Sequence, residues 1–203
     1  CYNCRFTGWQ DTIFNGDPMT CNMKKLMLPD FFQASEVPIV HKFYRNYFKD
    51  CYVCGDVDYI FGPNTAFFDH CEIHSIARVS EEKAYITAAS TPAGQEFGLI
   101  FSHCRITGEE PDSVYLGRPW RDCAKTAFIC CELGDHICPE GWQNWGKVRA
   151  EVLSDYIEYG NFGPGADCSG RSPLSRCLVN PEVETYFSKE NVLVGEDGWI
   201  PAE

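Results

Sequence analysis

The sequence predicts an all-β protein, a right-handed parallel β-helix, and the prediction rests on a motif that returns along the chain. A phenylalanine, two residues, a cysteine, one residue and an apolar residue recur in this order from Phe48, Phe68, Phe101 and Phe128. The copies are separated by long and uneven intervals, which is typical of a solenoid with variable loops. A β-sandwich would show the same local alternation, but its strands would return at shorter and more regular spacing.

The cysteines of these copies are predicted to form an inward ladder. In a strand, the cysteine and the apolar residue two positions later share one face, because side chains alternate. Stacked copies would therefore align Cys51, Cys71, Cys104 and Cys131. Cys4 opens the chain in the same register.

Two segments depart from the repeat. Residues 15–40 carry one glycine, three prolines and no steady period, so we expect a long loop insertion there. Near the C-terminus, Asn180 is a typical N-cap and Pro181 suits the first helical position, which predicts a short helix from Pro181 to about Lys189. The apolar residues 192–195 then predict a small strand.

Length and composition indicate one domain spanning residues 1–203. A chain of 203 residues with 44% hydrophobic residues can bury a substantial core. Its formal charge of −12 disfavours nucleic acid or an anionic membrane as a partner, and we expect a monomer. No stretch is long and apolar enough to span a bilayer. The sequence does not begin with methionine, so we expect a fragment or a processed form.

Cysteine usage leaves the compartment open. The 13 cysteines cannot all pair, so at least one would stay free in a secreted protein. Many free thiols suit a reducing cytoplasm equally well. The sequence contains no Asn-x-Ser/Thr site that would favour secretion.

Three segments carry the candidate catalytic residues. Asp58 lies in the apolar run Gly55–Gly62, where a charge is costly unless it is paired. Asp11 is a second carboxylate, and such a pair can act when one member is ionised and the other protonated. Arg118 can hold the ionised carboxylate in a fixed plane, and Gln10 can donate its amide to an oxyanion.

A plain structural interpretation of these residues remains open at this point. Asp11 followed by threonine is a common turn start, Asp58 could be a satisfied polar residue, and Arg118 could lie at a surface corner. Trp120, Trp142 and Trp145 are candidates for stacking on sugars, with core packing the alternative for the last two.

We expect no metal site from the sequence. His70 and His74 are predicted to be exposed histidines on one strand face. The pairs Cys1-x-x-Cys4 and Cys51-x-x-Cys54 resemble halves of zinc sites, but one cysteine of each pair already belongs to the predicted ladder. In the run around Asp58, strict alternation would place Tyr59 with Phe61 on one face and Asp58 with Ile60 on the other.

Three motifs, in this order, closely resemble the signatures of the pectin methylesterases, carbohydrate esterase family 8: Gln10–Ile13, Gly55–Gly62 and Tyr115–Trp120. Weaker similarity continues to residue 166, so the resemblance covers nearly the whole chain. It implies a right-handed parallel β-helix of the pectin-lyase-like class. It also implies an extracellular esterase that hydrolyses methyl esters of galacturonate in pectin, a methyl-esterified homogalacturonan, and releases methanol.

The resemblance also assigns roles to individual residues. It implies that Asp58 is the nucleophile and that Asp11 acts first as acid and then as base. It further implies that Arg118 orients the nucleophile, that Gln10 donates to the oxyanion and that Trp120 contacts the substrate. Val57 and Phe61 match positions that line the cleft. No metal or organic cofactor is implied.

Two other hypotheses stand beside the esterase, and the departures from the family pattern support the first of them. The sequence lacks the family's Gly-x-Tyr-x-Glu strand and a Gly-Gln-Ala segment that supplies a second oxyanion donor, and such a loss typically costs about 10²–10³ in rate. The first alternative is therefore a catalytically impaired β-solenoid that binds pectin or polygalacturonate. The second, a β-helical pectate lyase, is disfavoured by the motifs around Asp11 and Arg118.

Overall fold

The computed structural model describes residues 1–16, 44–80 and 82–201, and these residues form the predicted parallel β-helix. Every pair of neighbouring strands in this part of the chain is parallel. The strands are β1 (Arg5–Thr7), β2 (Ile13–Phe14), β3 (Arg45–Lys49), β4 (Tyr52–Gly55), β5 (Val57–Gly62), β6 (Thr65–Asp69), β7 (Glu72–Ser75), β8 (Ala84–Ala89), β9 (Leu99–Ser102), β10 (Arg105–Gly108), β11 (Val114–Gly117), β12 (Lys125–Ile129), β13 (Glu132–Leu133), β14 (Asp155–Tyr159) and β15 (Ser175–Leu178).

The strands build three sheets, and the chain visits them in turn. The first sheet has the order β1-β4-β7-β10-β13, the second β2-β5-β8-β11, and the third β3-β6-β9-β12-β14-β15. Three consecutive strands thus make one rung, and each rung lies on the one before it. The helical elements are short: α1 (Ala150–Leu153), α2 (Glu182–Tyr186) and α3 (Lys189–Leu193). No helix in the described ranges is long and apolar enough to cross a bilayer.

The predicted phenylalanines form a continuous stack through the core. Phe48, Phe68, Phe101 and Phe128 are paired in register across the third sheet. Their rings are nearly parallel, with centroids 4.6, 4.8 and 4.5 Å apart in that order. These separations match the distance between hydrogen-bonded strands, so the backbone ladder itself sets the ring stack.

The cysteine ladder is also confirmed. Cys51, Cys71, Cys104 and Cys131 are buried in the same apolar cluster, and Cys4 packs against its edge. In the described residues the only disulfide is a different pair, Cys168 with Cys177. The ladder thiols therefore contribute to the core as small apolar side chains.

A turn residue in the left-handed backbone conformation precedes each cysteine of the ladder. Asn3, Asp50, His70, His103 and Cys130 have φ values between 51° and 53°. The same conformation in each rung reverses the chain from the third sheet to the first. Asparagine and aspartate tolerate this conformation best, so the turns at the other positions are less favoured by sequence.

The sequence predicts three features of the segments that flank the repeats. The loop falls mostly outside the described residues, and the C-terminal helix and strand need correction. Residues 17–40 of the predicted loop fall outside the described residues, whereas Asn15 belongs to the solenoid: it is buried and donates to the carbonyl of Asn64. The single C-terminal helix is in fact two, because the Ser188 side chain caps a new helix by accepting from the Asn191 amide. The predicted strand at 192–195 is wrong, since Val192 lies in α3 and is buried.

A buried ion pair fastens the C-terminal segment to the solenoid. Arg171 donates through Nε and Nη2 to the two carboxylate oxygens of Glu158, at 2.9 and 3.0 Å. The indole Nε1 of Trp142 donates to the same carboxylate at 2.9 Å, and its ring stacks on Tyr156. Trp142 is thus a core residue, which decides between the two interpretations left open for it.

Replacing Trp142 by phenylalanine is expected to destabilise the protein by about 1–3 kcal/mol, because the buried Glu158 carboxylate loses one donor. Trp145→Phe is the matched control: Trp145 is partly exposed, and its loss should cost less than about 1 kcal/mol. Chemical unfolding of both variants measures the difference. Equal destabilisation would contradict the assigned role of the indole hydrogen bond.

His136 is expected to make stability depend on pH. The ring is fully buried, and neither nitrogen has a hydrogen-bond partner among the described residues. Burial lowers the pKa of His136 to about 4; Asp135 opposes this shift and His74 adds to it. The folded state binds fewer protons than the unfolded state between about pH 4 and 6.5. The stabilising contribution is therefore complete above pH 6.5 and is lost as the pH falls towards 4.

Between pH 6.5 and 4, we expect His136 alone to lower the free energy of unfolding by up to about 3 kcal/mol. Urea unfolding at both pH values measures the loss, and His136→Leu should show a smaller loss than the unsubstituted chain. Ile137→Val, at a buried position that does not titrate, is the control and should leave the pH dependence unchanged. The same pH dependence in His136→Leu would show that other groups produce it.

Candidate active site

Asp58 occupies an irregularity in β5 that turns its side chain away from the core. The register with β8 shifts between Val57 and Ile60, which is a β-bulge, and Asp58 itself has a φ of 50°. Bulges of this kind often redirect a side chain next to a functional site. The bulge places both Tyr59 and Ile60 in the core. The strict alternation expected from sequence is therefore wrong, since Phe61 and Asp58 lie outside that cluster.

Arg118 holds Asp58 through two hydrogen bonds. The guanidinium donates from Nε to Oδ1 at 2.9 Å and from Nη2 to Oδ2 at 2.8 Å. Only 8% of the Asp58 side chain and 14% of the Arg118 side chain are exposed. Burial raises the pKa of the Asp58 carboxyl, while the two hydrogen bonds and the charge of Arg118 oppose this rise. The fork geometry fixes the plane of the carboxylate.

Two aromatic rings pack against the guanidinium of Arg118. The Arg118 Cζ lies 3.9 Å from the ring centroid of Tyr85 and 3.8 Å from that of Trp145. Lys147 Nζ also lies 3.9 Å from the Trp145 ring. Trp145 is therefore part of this site, as a support for Arg118. No sequence motif links Trp145 or Tyr85 to Arg118, so these two roles could not be predicted from sequence.

Asp11 lies one rung before Asp58 and interacts with it electrostatically. Its amide donates to the carbonyl of Val57 at 3.1 Å, and its φ is 61°. Burial raises the pKa of the Asp11 carboxyl, the negative charge of Asp58 raises it further, and Arg118 opposes both. Stacking of adjacent rungs thus brings the two carboxylates into one site, and burial raises the pKa of each.

A cleft of about 540 Å³ opens beside these groups. Its lining includes Gln10, Val57 and Arg118, together with the cationic side chains of Arg78 and Lys83. Gln10 is exposed and borders the same space as Arg118. The lining also includes Glu82, and its two outer cations are engaged in ion pairs, Arg78 with Glu82 and Lys83 with Glu140.

Phe61 and Trp120 belong to an aromatic group next to the bulge. Their ring centroids are 5.7 Å apart, and Phe14 contacts both at 5.0 and 6.5 Å. Arg121 lies 4.9 Å from the Trp120 ring. The structure thus separates the sequence-predicted residues into an ionic group around Asp58 and an apolar group around Trp120.

Comparisons with known proteins agree with this architecture. The pectinesterase family model matches residues 33–196. Pectinesterase 31 of Arabidopsis thaliana is 36% identical over 183 residues, which is 89% of this chain and 48% of that protein. Putative pectinesterase 11 of the same organism is 33% identical over 200 residues, covering 98% of this chain and 47% of that protein. The chain thus spans about half the length of these curated relatives.

A solved structure gives the same result. Pectin methylesterase from carrot superimposes with a TM-score of 0.75 at 25% identity, covering 94% of this chain and 55% of that one. The match of the family model to most of its residues shows that this chain belongs to the pectinesterase family.

Proposed function

We propose that this chain carries the catalytic centre of a pectin methylesterase, which removes methyl esters from galacturonate residues and releases methanol. The observation that carries the proposal is a buried carboxylate, Asp58, held by the fork of Arg118 beside a second carboxylate, Asp11, whose pKa is raised. Two carboxylates with different surroundings can divide the roles of nucleophile and acid.

The first half of the reaction forms an acyl-enzyme. The ionised Asp58 attacks the ester carbonyl carbon, and the amide of Gln10 donates to the oxygen that becomes negative. The tetrahedral intermediate collapses as its bond to the methoxy oxygen breaks. Asp11 gives its proton to that oxygen, so methanol leaves and Asp58 remains joined to the galacturonate acyl group as an anhydride.

The second half consumes water. Asp11, now ionised, takes a proton from a water molecule as its oxygen attacks the galacturonate acyl carbon. The bond to Asp58 breaks, and the aspartate returns to its ionised state, hydrogen-bonded to Arg118. The net change is one ester and one water converted to one carboxylic acid and one methanol, with no metal or organic cofactor in either step.

Recognition of the polymer combines stacking with charge. We assign Trp120 and Phe61 to contact with sugar rings, and Val57 to the wall of the cleft. Arg78 and Lys83 are placed to attract free carboxylates of neighbouring galacturonates. The substrate is a cell-wall polymer and the chain contains a Cys168–Cys177 disulfide, so we assign the protein, as a monomer, to the extracellular space.

Asp58→Asn is expected to lower methanol release from highly methylated pectin by about 10³-fold or more, because the amide cannot serve as the nucleophile. Asp50→Asn is the matched control: Asp50 is exposed and has a φ of 52°, close to the 50° of Asp58. Methanol release and pectin binding should be measured together. A folded chain that binds pectin but releases no methanol would favour the non-catalytic binding role.

Arg118→Lys is expected to move the acid limb of the pH–rate profile upward by about one pH unit. Arg118 lowers the pKa of Asp58 through two hydrogen bonds, and a lysine cannot reproduce the fork. A higher pKa means that Asp58 becomes ionised only at higher pH. The profile of kcat/KM for methanol release measures the shift, with Arg105→Lys at an exposed ion pair as control. An unchanged acid limb would show that this limb does not report Asp58.

A further inference from the structure

We propose that His103, Cys130 and Glu184 form a structural site for a zinc-type divalent ion, on the turn between the third and first sheets and separate from the candidate active site. The Nε2 or Nδ1, Sγ and carboxylate oxygen atoms that they offer all lie within 4.8 Å of one another. Nothing in the proposed esterase reaction uses these three residues.

The backbone of the β-helix places the first two ligands. His103 and Cys130 both occupy the left-handed turn position, in adjacent rungs, and each has a φ of 53°. The His103 amide donates to the carbonyl of Ile129 at 2.9 Å, which locks the two turns together. Identical turn conformations direct both side chains outward from the same edge, about one strand spacing apart.

The histidine is oriented as a metal ligand requires. Its Nδ1 lies 3.0 Å from the hydroxyl of Ser102, and in the tautomer whose Nδ1–H donates to that oxygen the lone pair of Nε2 is free. Nε2 lies 3.8 Å from the Glu184 carboxylate. Zn–N and Zn–O bonds of about 2.0–2.2 Å place tetrahedral nitrogen and oxygen ligands about 3.3–3.6 Å apart, so a shift of only a few tenths of an ångström brings this pair to the required separation.

The donor set selects the ion. One imidazole, one thiol and one carboxylate suit a borderline-soft ion such as Zn²⁺, whereas Ca²⁺ and Mg²⁺ prefer oxygen ligands alone. On binding, the Cys130 thiol would release its proton and form an S–Zn bond. Glu184 belongs to α2, so the ion would join the C-terminal helices to two rungs of the solenoid.

The test uses the 203-residue chain with its free thiols kept reduced. Titration with Zn²⁺ should show one tight equivalent and a raised melting temperature, and Co²⁺ should produce a thiolate-to-cobalt charge-transfer band. Cys130→Ser should abolish the band, and His103→Gln or Glu184→Gln should weaken Zn²⁺ binding at least about tenfold. Removing the supporting hydroxyl in Ser102→Ala should weaken binding about 10–100-fold.

Two control variants separate this site from adventitious thiol binding. Cys1→Ser removes a chelate that an N-terminal amine and thiol could form, and Cys123→Ser removes another free cysteine. Both should retain the tight equivalent and the cobalt band. Glu184→Gln changes an exposed helix residue, so it tests the site without risk to the core. The proposal is overturned if the folded chain binds no Zn²⁺, or if Cys130→Ser keeps the band.

Discussion

The distance between hydrogen-bonded parallel strands governs the placement of every group discussed above. It sets the spacing of the four stacked phenylalanine rings at 4.5–4.8 Å, without help from any specific side-chain interaction. The same spacing places Asp11 one rung from Asp58 and His103 one rung from Cys130. A solenoid therefore brings side chains together whenever equivalent positions in adjacent rungs carry complementary chemistry, even when the chain between them is long.

Two buried arginine–carboxylate pairs have different roles: one is structural, and the other lies at the candidate active site. Glu158 accepts three hydrogen bonds from Arg171 and Trp142 and is closed off from solvent, so it serves as a structural anchor. Asp58 has only Arg118 as a side-chain donor among the described residues and lies at a strained bulge beside an open cleft. Burial raises its pKa and a single guanidinium opposes that rise. A carboxylate balanced in this way is suited to form and release a covalent bond.

The parts of the fold that repeat could be predicted from sequence, and the parts that break the repeat could not. The phenylalanine and cysteine positions followed from side-chain alternation because each rung obeys the same backbone geometry. The bulge at Asp58 breaks that alternation, and no residue type in the run announces it. Trp145 supports Arg118 only because the loop after Trp142 folds back over the second sheet, which depends on long-range packing. By contrast, local preference favours serine as an N-cap, so the start of α3 after Ser188 could have been predicted from sequence.

Charge links the proposed reaction to the surface around it. Each ester that is hydrolysed adds a carboxylate to the polymer, while the protein carries a net charge of −12. Beyond the Debye length of about 8–10 Å this charge is largely screened, so the cations that matter are those at the cleft. Arg78 and Lys83 line it in ion pairs with Glu82 and Glu140, whereas Arg121 and Lys147 line a second cavity together with Trp120. Free carboxylates of the polymer must therefore compete with Glu82 and Glu140 for Arg78 and Lys83, while the acidic surface elsewhere opposes spread of the polymer over the rest of the molecule.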